Sequence, residues 1–429
     1  MTGVPQPDLT GLRVAVINWR DPWHPEAGGA EQYAWEMSRG LVGRGAAVQF
    51  LTARAPGQSR QDRRDGIAIT RLGGRFTVYP LVLGWLLARR WAFNAVVDCQ
   101  NGIPFFTPCV LPRRVPVLCV MHHVHTAQFG VHFPAWLAWV GRLLEGPAAR
   151  AVYRRHACVA VSPSTITAMR ELLRWRGDIY LIPNGVRAPA VPSARASSRQ
   201  ALILVGRLVA HKRAERILPI AERLRGTGIS IDVVGRGPGS ATLAAALADS
   251  RLTGSVRLHG FLTEEDKQAL VAGSLLHLNT SHGEGWGLCV LEAAAAGVPT
   301  VAYDVDGLRD AVLDGETGWL VRDGELIEDV TEQALKELAD PVRRAAVTGA
   351  CRNWAAQFSW DRSASRLAAL IGAAVQRGTS AAEHPGAWLM PDGAVAEGPV
   401  LDLMLSQDRA LAASRPATVR ERLLGRELL

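Results

Sequence analysis

Two α/β domains joined by a short linker are what this sequence predicts, and three observations carry that expectation. From Leu12 onward, short apolar runs that read as buried strands alternate with helical patterns. The alternation stops at residues 187–200 (RAPAVPSARASSRQ), where Pro, Ser and Ala occur without apolar periodicity. It restarts at Ala201 with ALILV. A chain of 429 residues is long enough for two cores of Rossmann-like strand–helix alternation. The expected organisation is an N-terminal domain over 1–186, a linker over 187–200, a second domain over 201–358, a closing helix over 359–376 and a tail over 377–429.

The first domain opens with the strand LRVAVIN, the irregular loop WRDPWHPEAGGAE and a helix from about Glu31. Gly28 and Gly29 lie at the helix entry, where free backbone N–H groups suit an anion. AAVQFLTAR, IAITRLG and NAVVDCQ continue as strands, with an apolar helix near 80–91. VPVLCVMHHVHT is a strand ending in His122, His123 and His125. A metal site there is one reading, against which stands the lack of a nearby carboxylate in the sequence. Trp136 to Arg155 reads as one long amphipathic helix with Arg142, Arg150, Arg154 and Arg155 on its polar side; a solvated face or membrane docking would both use such a helix. IYLIPNGV closes the domain, and Asn184-Gly185 can take the positive φ of a turn.

In the second domain a strand ends in Gly206, followed by Arg207 and Lys212. A glycine there allows close backbone approach, and the two cations suit a departing diphosphate. Only Lys212, Lys267 and Lys336 are lysines among 48 basic residues, so a lysine at this point stands out. ISIDVVGRGPGS places Gly235, Gly237 and Gly239 after a strand, a partial dinucleotide-turn pattern broken by Pro238. VRLHGFLTEEDKQAL adds a strand, a glycine turn and a helix capped by Thr263. The stretch HGEGWGLCVLEAAAAGVPT then sets Glu284 and Glu292 eight residues apart, with Gly285, Trp286 and Gly287 following the first. LCVLEAAAAG reads as a helix ended by Gly297 and Pro299, so N–H groups from Gly287 through Leu288 to Val290 would point at a phosphate. A diphosphate site bracketed by two hydroxyl-accepting carboxylates is what a nucleotide sugar requires.

This stretch resembles the E-x7-E signature of retaining, GT-B-fold glycosyltransferases of family 4, and the resemblance runs from about Leu12 to Trp360. It implies two facing Rossmann-like domains with a C-terminal helical crossover. By resemblance, Arg207 and Lys212 hold the donor diphosphate, Glu284 positions sugar hydroxyls and Glu292 holds the ribose. Gly206 and Gly235 lie against the nucleotide, Phe261 and Leu262 sit at the base, and Gly28 and Gly29 close on the diphosphate. His122 contacts the sugar, while Trp19, His123 and His125 border the acceptor. Catalysis is assigned to His122, Glu284, Arg207 and Lys212. The donor would be a UDP- or GDP-sugar, with no cofactor and no metal. Asp304-Val305-Asp306 resembles the metal-chelating pair of another glycosyltransferase architecture, but it follows the Glu284–Glu292 helix by one strand and reads as an ordinary loop; Asp306-Gly307 departs from the Gly-Gly or Pro-Gly that the family often shows here.

The balance of 48 Lys+Arg against 40 Asp+Glu is basic, yet no short basic run interleaved with aromatics suggests nucleic acid. Six cysteines without paired spacing read as core residues of a reducing compartment. The N-terminus does not read as a signal peptide, and YPLVLGWLLA is too short to span a bilayer. A cytoplasmic enzyme is expected, with peripheral membrane contact and a homo-oligomer through the tail as further partner classes. A non-catalytic nucleotide-sugar binder and an NAD(P)-dependent oxidoreductase are the alternatives. The acceptor, in cell-envelope glycan or secondary-metabolite assembly, is open.

Overall fold

The computed structural model describes residues 7–187, 200–248, 252 and 254–377. The linker expected at 187–200 lies almost wholly outside the described residues, and so does the tail with its proposed oligomer contact. The chain forms two compact units, one of residues up to Gly185 together with those from Trp360, the other Val186–Ser359. Each is a largely parallel sheet with helices, so the α/β, Rossmann-like expectation holds.

In the first unit the strands are β1 (Arg13–Ile17), β2 (Ala47–Thr52), β3 (Gln61–Arg64), β4 (Ile67–Arg71), β5 (Ala95–Gln100), β6 (Val117–Met121), β7 (Ala157–Ala160) and β8 (Ile179–Leu181). They are ordered β3-β4-β2-β1-β5-β6-β7-β8. Every pairing is parallel except β3 with β4. β5 and β6 are buried at every position, the mark of a strand covered on both faces. β3 (QDRR) is a charged edge strand with no apolar signal, which is why no strand is expected there from sequence.

Two expectations for this unit are corrected. The single helix over Trp136–Arg155 is instead a helix Ala135–Leu143, a π-helical turn Leu144–Ala148 and a short helix Ala149–Tyr153. Pro147 has no N–H for the helical ladder, and the wider turn absorbs the loss. Asn184 and Gly185 are not among the residues with positive φ, so the chain leaves β8 without the expected turn.

The closing helix Trp360–Arg377 packs on the helix Gly29–Val42. Arg44 Nη2 meets Asp361 Oδ1 at 2.8 Å, and the Ser363 hydroxyl donates to the Pro183 carbonyl at 2.6 Å. The helices approach so closely at Gly40 that a Cβ there would lie 2.2 Å from the Cβ of Ala364.

The second unit carries β9 (Ala201–Val205), β10 (Ser230–Val234), β11 (Val256–Gly260), β12 (Leu276–Asn279), β13 (Thr300–Tyr303) and β14 (Gly318–Val321), all parallel and ordered β11-β10-β9-β12-β13-β14. Leu202, Leu204, Ile217, Ile231, Leu276 and Val301 are in its main apolar cluster. Among the described residues no helix is long and apolar enough to cross a membrane.

A helix-interior glycine replaced by alanine ordinarily gains about 1 kcal/mol. At Gly40 the added methyl collides with Ala364, so Gly40→Ala is expected to destabilise by about 1–3 kcal/mol instead. Gly43→Ala, whose nearest new contact is at 3.5 Å, is the control and should be neutral or slightly stabilising. Denaturant unfolding of both variants checks this; stabilisation at Gly40 would contradict the close helix contact.

Candidate functional site

In a parallel sheet, ligands bind outside the carboxyl ends of the strands, where the strand order reverses. The second sheet reverses between β9 and β12, because the chain runs outward from β9 to β10 and β11 and later returns to the other side of β9. The candidate residues of this unit follow the carboxyl ends of these strands. Gly206, Arg207 and Lys212 come after β9, Gly235 after β10, Phe261 and Leu262 after β11, and Glu284 after β12. The first three loops are laced by backbone hydrogen bonds: Gly206 N–H to Val234 O at 3.0 Å, Gly235 N–H to Gly260 O at 2.8 Å, and Leu208 N–H to Arg236 O at 3.0 Å.

Lys212 and Glu284 meet across the reversal in a direct ion pair between Nζ and Oε1. Both neighbours are fixed. Ser281 donates its hydroxyl to the same Glu284 oxygen at 2.7 Å, and Thr280 donates to the Lys212 carbonyl at 2.7 Å. Burial opposes charge on both groups, but the pair outweighs it: the Lys212 pKa is raised and that of Glu284 is lowered. Arg207 acts against the Lys212 charge, so two cations stand close enough to repel. Sequence reasoning assigns Lys212 to a diphosphate and Glu284 to a sugar; the structure brings the two into contact with each other.

Glu292 is held by a residue that sequence reasoning leaves unassigned. Lys267 Nζ lies 3.0 Å from Glu292 Oε2 and 3.0 Å from Glu264 Oε2. Burial raises the Glu292 pKa, and Lys267 only partly counters it. The signal that could have found Lys267 is lysine scarcity, for two of the three lysines are the partners of the two signature carboxylates.

The helix Leu288–Ala296 begins after Gly287. Val290 N–H is already taken by the Gly287 carbonyl at 2.9 Å, which shortens the expected donor set to Gly287, Leu288 and Cys289. Trp286 is 2% exposed and packs edge-on against Phe358 at 5.1 Å, so the ring is part of the unit's interior. Phe261, by contrast, is 72% exposed. The loop after β13 supports the Glu284 turn: Glu284 N–H donates to the Asp306 carbonyl at 3.0 Å. A Cβ on Gly307 would come 2.3 Å from the Glu284 carbonyl oxygen, so Gly307 is required although the sequence around it departs from the family pattern. Asp304 and Asp306 both pair with Arg309, at 2.9 and 3.5 Å. Gly239 N–H is spent on the Leu208 carbonyl at 2.8 Å and Gly237 N–H on the Ser240 hydroxyl at 3.1 Å, which is unlike a dinucleotide turn.

The first sheet has its own reversal, between β1 and β5, where Asn101 donates to Asn18 at 2.8 Å. Gly28 N–H donates to Glu31 Oε2 at 2.8 Å, so this N–H is not free for an anion as expected. Trp19 donates its indole N–H to the Arg75 carbonyl at 2.9 Å and carries the Arg20 guanidinium 4.0 Å over its ring. His122 follows β6 and is buried, its Nε2 without a hydrogen-bond partner and its pKa pushed down to about 3 by burial and by His125. It is therefore a neutral imidazole at physiological pH. The rings of His123 and His125 stand edge to face at 5.3 Å.

One ground for setting aside a metal among these histidines, the lack of a nearby carboxylate, does not hold. Glu145, buried in the π-helical turn, lies 3.6 Å from His125 Nδ1. It accepts from the His125 backbone N–H and, at 2.9 Å, from the Thr126 hydroxyl. Among the described residues no three His, Cys, Asp or Glu side chains are grouped as a metal would need.

The Lys212–Glu284 pair has a defined pH signature. The lowered Glu284 pKa contributes stability that is present above the ordinary carboxylate range and lost as pH falls through its folded value. The raised Lys212 pKa contributes stability complete below the ordinary lysine value and lost as pH rises through its folded value. Both contributions are present at neutral pH. Lys212→Met leaves a partly buried carboxylate alone and is expected to cost about 1–3 kcal/mol there. The deficit should shrink in acid as Glu284 takes up a proton. Unfolding of both proteins across pH checks this, and a constant deficit would show that the pair does not act through charge.

Comparison with known proteins gives the family and the fold. The family described as Glycosyl transferases group 1 matches residues 191–354, and that described as Glycosyltransferase Family 4 matches residues 27–188. A GDP-mannose-dependent alpha-(1-6)-phosphatidylinositol monomannoside mannosyltransferase of Mycobacterium tuberculosis is 28% identical over 80% of this chain and 94% of its own. A 2-deoxystreptamine glucosyltransferase of Streptomyces kanamyceticus is 30% identical over 77% of this chain and 95% of its own. Sucrose-phosphate synthase from Thermosynechococcus elongatus shares the fold, with a TM-score of 0.72, 19% identity and coverage of 84% of this chain and 98% of that one. With both families matched and a relative 30% identical over 95% of its own length, the chain belongs to the group 1 glycosyltransferases, family 4, of GT-B fold.

Proposed function

We propose that this chain transfers a glycosyl group from a UDP- or GDP-sugar to an acceptor hydroxyl with retention of anomeric configuration. The observation that carries this is the pair of lysine–carboxylate contacts, Lys212–Glu284 and Lys267–Glu292, flanking one helix N-terminus at the reversal of a parallel sheet. A diphosphate would lie against Arg207, Lys212 and the N–H groups from Gly287. Its arrival would relieve the repulsion between the two cations and free Glu284 to accept hydroxyls of the sugar. Glu292 would accept the ribose hydroxyls, with Gly206 and Gly235 allowing close approach of the nucleotide and the turn at Phe261 and Leu262 meeting the base. His122 would contribute as a neutral hydrogen-bonding group.

In the proposed step the bond between the anomeric carbon and the diphosphate oxygen breaks. A bond from the acceptor oxygen forms on the same face, and the acceptor proton passes to the departing phosphate oxygen. The nucleoside diphosphate leaves with the electron pair of the broken bond, its charge met by Arg207 and Lys212. No enzyme nucleophile is invoked. The named relatives act on phosphatidylinositol monomannoside and 2-deoxystreptamine, so a cell-envelope glycan or a secondary metabolite is the proposed acceptor class.

Thermal shifts with UDP, GDP, ADP and dTDP should show stabilisation by one nucleoside diphosphate. Lys212→Ala should lower transfer by about 100-fold or more while the protein stays folded. Full activity in that variant would refute the diphosphate assignment. A nucleotide-binding chain that transfers sugar to no acceptor would instead be a binder.

Lys267→Met separates the roles of the second pair. Without its partner, Glu292 should hold its proton to higher pH. Nucleotide affinity should then fall as pH drops through that raised value and recover above it, whereas Glu292→Gln should weaken binding at every pH. Calorimetric titration across pH checks this; a pH-independent loss in Lys267→Met would show that Glu292 does not need its charge to bind.

A further inference from the structure

The helix Val78–Ala88 buries Val82 and Leu86 along with Val78, yet its opposite side is also apolar. Leu81 and Leu87 are 47% and 48% exposed, and Trp91, one turn beyond the helix end, is 59% exposed. Pro80, Gly84 and Ala88 lie between them on the exposed side, so apart from the Trp91 indole N–H this face offers only carbon. Phe76, at 66% exposed, extends the apolar surface before the helix. Such a face on a soluble protein has a partner.

Along this stretch of the chain the exposed charge is of one sign. From Gly66 to Leu144 the only carboxylate is Asp98, and Asp98 is buried against Tyr153 and Thr107. The same stretch has exposed arginines at 75, 89, 90, 113 and 114. Arg90 and Arg114 lie over the Trp91 ring at 5.3 and 4.7 Å, and Arg75 lies over Phe76 at 5.3 Å. The apolar face is therefore bordered at both ends by guanidinium groups held on its own aromatic rings.

We propose that this face docks the protein in the plane of an anionic lipid bilayer. An eleven-residue helix cannot span a membrane, but it can lie in the interface with its apolar side among the acyl chains. Tryptophan and arginine at the edge of an apolar face match the boundary between acyl chains and headgroups, and the unopposed arginines match headgroup phosphates. A protein partner fits less well, because between the bordering arginines only the Trp91 indole N–H could fix an orientation.

The test is co-sedimentation of the full chain with vesicles of phosphatidylcholine alone and of phosphatidylcholine mixed with phosphatidylglycerol. The chain should pellet with the mixed vesicles, at least about tenfold less with phosphatidylcholine, and less at high salt. Leu81→Glu with Leu87→Glu should abolish pelleting. Arg89→Gln, Arg90→Gln and Arg114→Gln combined, all at exposed positions, should weaken it about tenfold or more and keep the variant set informative should the first pair fail to fold. Circular dichroism confirms folding of each.

Three outcomes overturn the proposal. The wild-type chain stays in the supernatant with both vesicle types; the folded variants pellet as the wild type does, which would place binding at exposed Trp136 and Trp139 or in residues 378–429; or the face proves to join two copies, seen as a dimer that Leu81→Glu with Leu87→Glu dissociates without any vesicle binding by the wild type. Pelleting requires no donor sugar, so this result and that of the transfer assay fail independently.

Discussion

Lys212 and Glu284 are attached to neighbouring strands at the reversal of one sheet, and the rest of the second unit is arranged so that they touch. A partly buried cation or carboxylate alone would be costly, and each is tolerated because the other is present. Ser281 and Thr280 orient the pair from the β12 end, and the Asp306 carbonyl holds the Glu284 backbone from the β13 loop. The glycine at 307 is the steric condition for that last contact. Strand order, loop length and side-chain chemistry thus converge on a single charge-compensated point.

A paired site of this kind is neutral as a unit. Its two halves are also what a nucleotide sugar needs separately, a cation for phosphate and a carboxylate for hydroxyls. In the proposed reaction, exchange of one partner for another would replace an internal ion pair with two ligand contacts and so limit the net cost of opening it. Glu292 and Lys267 repeat the device further along the helix, with the carboxylate there less strongly held in its charged form.

Much of this was legible in the sequence. Strand–helix alternation in continuous apolar runs gave the two sheets, and the spacing of Glu284 and Glu292 with Gly206, Arg207 and Lys212 marked the region that the strand order brings together. What escaped depends on contacts between distant residues. Charged β3 has strand form because it borders β4, and Glu145 reaches the histidine loop from within a π-helical turn. Gly28 looked like an anion donor, yet Glu31, three residues along, already accepts its N–H. Lys267 carried no motif at all, and its place beside Glu292 comes from packing of one helix on another.

The return of the helix Trp360–Arg377 to the first unit makes the second unit an insertion within the first. On the ribosome the consequence is an inverted order of completion. Residues up to Gly185 emerge first, but they lack the helix that covers Gly40 and ties Arg44 and Pro183. All of Val186–Ser359 is synthesised before that helix appears. The second unit can therefore finish folding while the first still exposes the apolar groove beside Gly29–Val42, and the unit that begins synthesis earliest is the last to close.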